Sequence, residues 1–185
     1  SGKTSTLYAF VNILNRPEVN IVTIEDPIEY NMRYVNQTQI HPEAGVTFAE
    51  GLRAILRQDP NVIMVGEIRD AETADISVQA ALTGHLLLAS LHTSDAPTAI
   101  PRLFDLGVPP FLVSSVLNVV VAQRLVRRIC KTCIASYEAG PEVKKIITDE
   151  LKGLGVGEEA LQAPKFLYRG KGCQACGMTG YRGRL

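Results

Sequence analysis

The sequence lacks net charge, a bilayer-length apolar run, an internal repeat and any low-complexity tract. Its 19 Lys and Arg residues balance 19 Asp and Glu residues, so overall charge gives no reason to expect nucleic acid or membrane binding. The longest apolar stretch, FLVSSVLNVVVA, contains polar residues and is too short to span a bilayer. With 46% hydrophobic residues among 185, the chain can bury one core and a small satellite. These features predict a soluble cytosolic α/β protein.

The chain also lacks the front half of a phosphate-binding loop. It opens with SGKTSTLYAF, which supplies only the last defined positions of the pattern G-x-x-x-x-G-K-[ST]. The first glycine of that pattern would precede Ser1, and there is no initiator Met. We therefore expect the sequence to be a piece of a longer protein, cut inside the loop. By itself such a piece is expected to bind ATP poorly.

Apolar periodicity predicts strands that alternate with helices, which favours an α/β fold with a mostly parallel sheet. The predicted strands are NIVTIEDP, YVNQTQI (an edge strand), NVIMVGE and HLLLASLH. The predicted helices are TSTLYAFVNIL, TFAEGLRAILRQ with Thr47 as its N-cap, AETADISVQAALTG, DAPTAIPRLFDLG and PPFLVSSVLNVVVAQRL.

The composition changes near Arg124. Downstream, basic residues and cysteine pairs flank one polar helical stretch, PEVKKIITDELKGLG. We predict two units. Residues 1–125 form a nucleotide-binding body, and residues 126–185 form a small, mainly helical subdomain that carries the cysteines.

The Gly2-Lys3-Thr4 tripeptide is a candidate phosphate site. A helix that begins there presents free backbone N–H groups and a positive dipole end to an anion, with Ser1 beside the same phosphates. Lys3 would reach the β- and γ-phosphates, and the Thr4 hydroxyl would ligate Mg²⁺. Three residues alone are also compatible with chance, so this prediction depends on the rest of the chain.

Two apolar strands end in acids, which lie where a parallel sheet binds its ligands. Mg²⁺ needs only one or two carboxylates, and phosphoryl transfer to water needs a group that orients the water. The candidates are Glu25, Asp26, Glu29 and Glu67. The alternative is that acids after strands merely open loops or cap helices, which is the role we expect for Asp70.

Four motifs, in this order, resemble those of the type II secretion and type IV pilus assembly ATPases. They are SGKTSTLYA, TIEDPIEY, GLRAILRQDPNVIMVGEIRDAETA and TGHLLLASLHTSDA, and the resemblance covers essentially the whole chain. It implies a RecA-like P-loop NTPase core of a homo-hexameric motor. Such motors hydrolyse ATP to assemble a pilus or pseudopilus, at the cytoplasmic side of the bacterial inner membrane and beside a platform protein. No direct contact with nucleic acid is expected.

The resemblance also implies roles for individual residues. Gly2, Lys3 and Thr4 match the end of Walker A, and Gly66 and Glu67 match a Walker B motif whose glutamate supports Mg²⁺. Glu25, Asp26 and Glu29 match the Asp box, in which a glutamate activates water. We assign that role to Glu25, with Glu29 as its competitor. His85 and His92 lie in the family's His box, Thr83 to Thr93.

The histidines and two arginines are further candidates for phosphate contact. His85 and His92 are seven residues apart, so one strand would turn them to opposite faces. We favour His92, after the strand, as a γ-phosphate contact; a core histidine is the alternative. Arg53 and Arg57 share a helix face and could act on a neighbour's γ-phosphate. They could equally form surface pairs with Glu50 or Asp59.

Two C-x-x-C pairs predict a metal site in the second unit. Each pair can clamp a metal from a tight turn, and together they give a closed S₄ site that suits structural Zn²⁺. The alternatives are four free thiols, a rubredoxin-like iron site or a redox dithiol. By resemblance, the assembly ATPases carry this insertion, whereas the pilus retraction ATPases generally lack it. The ligands are Cys130, Cys133, Cys173 and Cys176.

Two other functions compete with the motor. One is a non-catalytic, zinc-stabilised nucleotide-binding or interaction module with a basic face. The other is a DNA translocase with the same core, which the balanced charge disfavours. The acids that follow two buried strands favour the motor, because an interaction module has no need of them.

Overall fold

The computed structural model describes residues 2–154 and 164–185. Contacts between Cα atoms divide the chain into two compact units, Ser1–Arg124 and Leu125–Leu185. Two parts of the sequence-based predictions lie outside the described residues: the phosphate contact of Ser1, and the end of the helical stretch beyond Leu154.

The first unit contains a four-stranded, wholly parallel sheet, which confirms the predicted α/β architecture. Its strands are β1 (Ile21–Glu25), β2 (Val35–Gln39), β3 (Val62–Val65) and β4 (Leu86–Ala89), and their order across the sheet is β2-β1-β3-β4. The strand β2 lies at an edge, as its alternating pattern indicated. The carboxyl ends of β1, β3 and β4 therefore meet at one edge of the sheet.

Five helices accompany the sheet: α1 (Lys3–Leu14), α2 (Phe48–Leu56), α3 (Ala71–Leu82), α4 (Ala99–Asp105) and α5 (Pro110–Val116). The Thr47 side chain accepts a hydrogen bond from the Glu50 N–H at 3.2 Å, so the predicted cap of α2 is confirmed. Asp70 caps α3 in the same way through the Thr73 N–H at 2.8 Å, as expected.

The helix predicted for PPFLVSSVLNVVVAQRL is too long. It ends at Val116, and Leu117 leaves with an extended backbone (φ −83°, ψ 106°). Residues 117–124 form neither helix nor strand in the structure. The physical reason is the run of β-branched valines after Asn118, since such side chains lose rotamer freedom in a helix.

Helices cover both faces of the sheet. Ile24, Ile63 and Val65 face a core that includes Leu52 of α2 and Ala74 of α3. On the other face Ile21, Val62 and Met64 pack with Val11 of α1, and Leu7 and Leu14 extend this cluster. Because side chains alternate along a strand, Thr23 and Glu25 lie on the same face as Ile21, towards α1.

The second unit is not mainly helical in its described residues, so that prediction is wrong. It holds two antiparallel pairs, β5 (Arg127–Ile129) with β8 (Tyr181–Arg184) and β6 (Ile134–Glu138) with β7 (Phe166–Gly170). The predicted polar helix is present as α6 (Pro141–Gly153). The reason for the difference is the aromatic content of segments such as FLYRG, because aromatic residues favour strands.

Across residues 2–154 and 164–185, every helix is too short or too polar to cross a membrane.

Candidate functional site

The start of α1 forms the first part of the candidate site. Gly2 is the N-cap residue, with a left-handed backbone (φ 84°) that glycine adopts without steric cost, and no side chain of the described residues caps the helix. The Thr6 N–H bonds back to the Gly2 carbonyl at 3.1 Å. Helix geometry leaves the N–H groups of Lys3, Thr4 and Ser5 without partners inside the helix. This end of α1 is therefore suited to bind an anion.

Lys3 and Glu67 meet at the loop that follows β4. The Lys3 Nζ donates to the Leu91 carbonyl at 2.6 Å. The next residue, His92, contacts the Glu67 carboxylate through its Nε2. Lys3, at the start of α1, and Glu67, after β3, therefore contact two adjacent residues of this loop, Leu91 and His92.

The Glu67 carboxylate is nearly buried, with 11% of its side chain exposed, and both of its oxygens have partners. One oxygen contacts His92, and the other accepts from the Arg69 Nε at 2.6 Å. Arg69 also reaches Asp26, whose carboxylate lies 3.3 Å from the guanidinium. Arg69 therefore links the acids that follow β1 and β3.

Glu25 is completely enclosed, with a relative exposure of 1%. Its carboxylate accepts hydrogen bonds from the Tyr8 hydroxyl of α1, from the Thr23 hydroxyl at 2.5 Å and from the Gln37 amide at 3.1 Å. Burial, reinforced by the hydrogen bond to Glu25, raises the pKa of Tyr8 above its usual value, so its hydroxyl stays protonated as a donor. Glu25 is thus a buried, fully bonded carboxylate in this structure.

Glu29 has the opposite surroundings. Glu29 is exposed, and among the described residues its carboxylate makes no hydrogen bond or ion pair. Its backbone N–H, in contrast, donates to the Tyr8 hydroxyl at 3.1 Å. The loop is therefore held by its backbone while the carboxylate stays free.

Three of the candidate residues do not join this site. His85 precedes β4, at the amino-terminal edge of the sheet, and its Nδ1 lies 2.9 Å from the Ala80 carbonyl. Arg53 forms ion pairs with Glu50 at 2.9 Å and Glu72 at 2.6 Å, which includes one of the surface pairs considered above. Arg57 ends α2 as its C-cap residue.

Sequence reasoning missed Tyr8 and Arg69. The sequence predicts α1 only from the spacing of its apolar residues, among them Tyr8, although a buried tyrosine hydroxyl needs a hydrogen-bond partner. That requirement was the available signal. Arg69 follows Glu67 by two residues in GEIRD, and only the fold brings it to Asp26.

The four cysteines of the second unit form a compact cluster in which all Sγ atoms lie within 4.8 Å of one another. Three of the separations are 3.9, 3.9 and 3.7 Å, between Cys130 and Cys173, Cys133 and Cys176, and Cys173 and Cys176. Tetrahedral zinc with Zn–S bonds of about 2.3 Å requires S···S distances of about 3.8 Å. The thiols therefore have the separation that an S₄ site needs.

Backbone N–H groups point at one of these sulfurs. The Cys176 Sγ lies 3.2 Å from the Cys173 nitrogen and 3.3 Å from the Gly180 nitrogen. Desolvation raises the pKa of the Cys176 thiol, but these N–H groups and the neighbouring thiols outweigh it and lower the pKa to about 6. A thiolate, the form that binds metal, is therefore favoured at this position.

Gly170 allows the two chain segments around the cluster to approach closely. A Cβ atom at this position would lie 2.0 Å from the Gly180 carbonyl oxygen, which is backbone and has no flexible end to move. The last residue of β7 therefore has to be glycine for β7 to pass beside Gly180.

Similar proteins identify the family of this chain. The model of the type II/IV secretion system protein family matches residues 1–185. The chain belongs to this family. Two relatives are the type II secretion system ATPase E of Vibrio cholerae, 53% identical over 184 residues, and the type IV pilus assembly ATPase PilB of Thermus thermophilus, 51% identical over 184 residues. Each match includes 100% of this chain, but only 35% and 20% of the two relatives.

Two solved structures of ATPases share this fold. A crystal structure of the pilus retraction motor PilT with bound ADP aligns with a TM-score of 0.65 and 39% identity, over 71% of this chain and 41% of PilT. The VirB11 ATPase of the Brucella suis type IV secretion system, at 24% identity and a TM-score of 0.54, supports the fold alone; it covers 70% of this chain and 40% of VirB11. The match of the family model and the two relatives above confirm the predicted family.

Proposed function

We propose that this chain carries the ATP-hydrolysing site of a hexameric motor that powers type II secretion or type IV pilus assembly. The observation that supports this most directly is the meeting of Lys3 and Glu67 at Leu91 and His92. A lysine at a helix N-terminus beside a strand-end carboxylate is what binding and hydrolysis of a nucleoside triphosphate require. The names of the relatives, which are secretion and pilus ATPases, support the same substrate.

The start of α1 would bind the triphosphate. Its free N–H groups would contact phosphate oxygens beside Gly2, and Ser1 is proposed as a further phosphate contact. Lys3 would exchange the Leu91 carbonyl for the β- and γ-phosphates. Thr4 and Glu67 are the residues that would hold Mg²⁺, and Asp26 would orient Glu67 through Arg69. Bound Mg²⁺ would neutralise charge on the phosphates.

For activation of the attacking water we propose Glu29 in place of Glu25. A general base must reach the water, and Glu25 is enclosed by three hydrogen-bond donors. Glu29 lies on the same loop, is exposed and has a free carboxylate. His92, whose side chain is 72% exposed, would turn from Glu67 towards the γ-phosphate and respond to its release.

The cysteine cluster would hold one structural Zn²⁺. Four thiolates close a tetrahedral site and leave no position for a substrate, so Zn²⁺ would cross-link the turns around Cys130 and Cys173. None of the residues of α6 is buried, which indicates that the described part of this unit has little core of its own. A metal would replace the missing core.

The remaining proposals concern the oligomeric assembly, the domains and the cellular location. We propose a homo-hexamer in which Arg53 and Arg57 act on a neighbour's γ-phosphate, after Arg53 leaves Glu50 and Glu72. We further propose residues 1–125 and 126–185 as the functional domains. The location would be the cytoplasmic side of the inner membrane, beside a platform protein and without direct contact with nucleic acid.

The test is steady-state ATP turnover by the full-length protein. Lys3→Ala, Glu29→Gln and Glu67→Gln are each expected to lower kcat by a factor of about 100 or more. Lys152→Ala and Glu18→Gln are matched controls, because both residues are exposed, Lys152 lies on α6 of the second unit, and Glu18 precedes β1 at the opposite edge of the sheet. Both controls should retain turnover.

Each variant is also tested for binding of a fluorescent ATP analogue. Lys3→Ala should weaken binding, whereas Glu29→Gln should bind normally and fail only in turnover. Turnover that none of the three substitutions lowers would overturn this site. ATP binding without turnover in the wild-type protein would leave the non-catalytic, zinc-stabilised nucleotide-binding module as the function.

A further inference from the structure

We infer that Tyr8 is a positioning residue that fixes the loop carrying Glu29 to the phosphate-binding helix α1. The inference rests on the proposed function, because it assigns Tyr8 a part in placing the residue that activates water. Tyr8 lies on α1, five residues after Lys3, and its side chain is 7% exposed.

A single hydroxyl joins three parts of the site. The Tyr8 hydroxyl donates to the Glu25 carboxylate at the end of β1. The same oxygen accepts from the Glu29 N–H at 3.1 Å and from the Tyr30 N–H at 3.4 Å. Glu25 thereby orients the hydroxyl, and the hydroxyl holds the backbone of the loop at Glu29.

This network is more than packing requires. A phenylalanine at position 8 would fill nearly the same space, and an apolar residue at position 25 would avoid the desolvation of a carboxylate. Instead, the enclosed Glu25 makes two further hydrogen bonds, to Thr23 and Gln37, so that every element of the network is fixed. A buried polar network that is fully bonded specifies one geometry.

Because Tyr8 lies on α1, the network connects the loop at Glu29 to the phosphate-binding helix. With a rise of 1.5 Å per residue, Lys3 and Tyr8 are about 7.5 Å apart along one rigid helix. Phosphate bound at the start of α1 and the loop held by Tyr8 are therefore positioned by the same helix. This helix therefore places the free carboxylate of Glu29 with respect to the phosphates, although the carboxylate makes no hydrogen bond or ion pair of its own among the described residues.

The experiment measures kcat, KM and nucleotide affinity for Tyr8→Phe in the full-length protein. We expect kcat to fall about 10-fold or more, with KM and the Kd for ADP unchanged, since a small misplacement of a reacting group has a large effect on rate. Tyr34→Phe is the matched control. Tyr34 lies between β1 and β2, is 73% exposed, and its hydroxyl makes no hydrogen bond among the described residues.

A double-mutant cycle with Glu29→Gln distinguishes positioning from general damage. If Tyr8 acts through Glu29, Tyr8→Phe lowers kcat in the wild-type background and has no further effect in Glu29→Gln. Equal losses in both backgrounds, or an unchanged kcat in Tyr8→Phe, would overturn the inference. If kcat falls in Lys3→Ala but not in Tyr8→Phe, only the inference is overturned. Full turnover in Lys3→Ala would overturn the proposed function.

Tyr8→Phe leaves Glu25 with fewer donors, so folding is measured by thermal melting. If the variant is unfolded at the assay temperature, the pair Tyr8→Phe with Glu25→Gln removes the buried charge together with its donor. The same fall in kcat is expected in this pair, with Glu25→Gln alone as its reference. Equal kcat in the pair and in Glu25→Gln would again overturn the inference.

Discussion

The Arg69 guanidinium lies 2.6 Å from the Glu67 carboxylate, at the edge of the sheet where β1 and β3 end. Glu67 is nearly buried and Arg69 is half exposed, so this ion pair is partly shielded from water. The backbone on both sides of Arg69 is fixed, by the Ile68 N–H bonded to the Ser90 carbonyl at 3.0 Å and by Asp70 as the cap of α3. The position of Arg69 is therefore set by the fold.

Replacing Arg69 by Met should destabilise the protein modestly. Glu67 would keep His92 as its one partner, and Asp26 would lose its ion pair. Because Arg69 is half exposed, we expect a cost of about 1 kcal/mol, which lowers the melting temperature by about 2–4 °C. Arg69→Lys retains the charge and should lose less. An equal loss in both variants would show that charge is not the cause.

The two Asp-box glutamates should respond differently to replacement by glutamine. Glu25→Gln changes a buried acceptor with three donors, so it should destabilise the protein by about 1–3 kcal/mol. Glu29→Gln changes an exposed side chain and should leave the melting temperature unchanged while turnover falls. Thermal melting and turnover of both variants are the measurements. A stable Glu25→Gln protein without turnover would restore Glu25 as the activating residue.

Removal of the α3 cap should reduce stability without removing the site. The Asp70 carboxylate accepts from the Thr73 N–H at 2.8 Å and from the Thr73 hydroxyl at 2.9 Å. Asp70→Ala should lower the free energy of unfolding by about 1 kcal/mol, and Asp70→Asn by less, because asparagine is also a good cap. Thermal melting of both variants tests the order, and a larger loss in Asp70→Asn would contradict it.

The cysteine cluster should contain one zinc per chain. Elemental analysis of the purified full-length protein should find Zn²⁺ close to one equivalent, and Cys176→Ser should lose most of it. Lys131→Ala, an exposed position inside the first C-x-x-C, should keep its metal. Iron in place of zinc would indicate a rubredoxin-like site, and the absence of metal together with titratable thiols would contradict the metal centre.

Metal removal should act on the second unit first. A strong chelator should increase protease cleavage within Leu125–Leu185, because the turns around the cysteines would lose their cross-link. Fragments are identified by mass spectrometry. Cleavage that is unchanged by the chelator would show that the unit folds without metal.

The sequence by itself was sufficient for the family and for most elements of the first unit. Buried apolar runs and helical periodicity are local, so they predicted β1, β3 and α3 correctly, and the cap at Thr47 followed from local capping chemistry. The predictions that depended on long-range pairing were less successful. The second unit forms β pairs such as Ser136 with Tyr168, whose partners are far apart in the chain, and local propensity does not identify such partners.

For the site as well, the sequence predicted some features and only the tertiary structure decided others. Residue types and their order predicted that Lys3 and Glu67 belong to one site, because parallel strands place their carboxyl ends together. Only the tertiary structure decided that Glu25 is enclosed while Glu29 is free, and that His85 lies at the opposite edge from His92. The physical reason is that burial and hydrogen bonding depend on what packs against a residue, and for Glu25 that neighbour is Tyr8, on a different element.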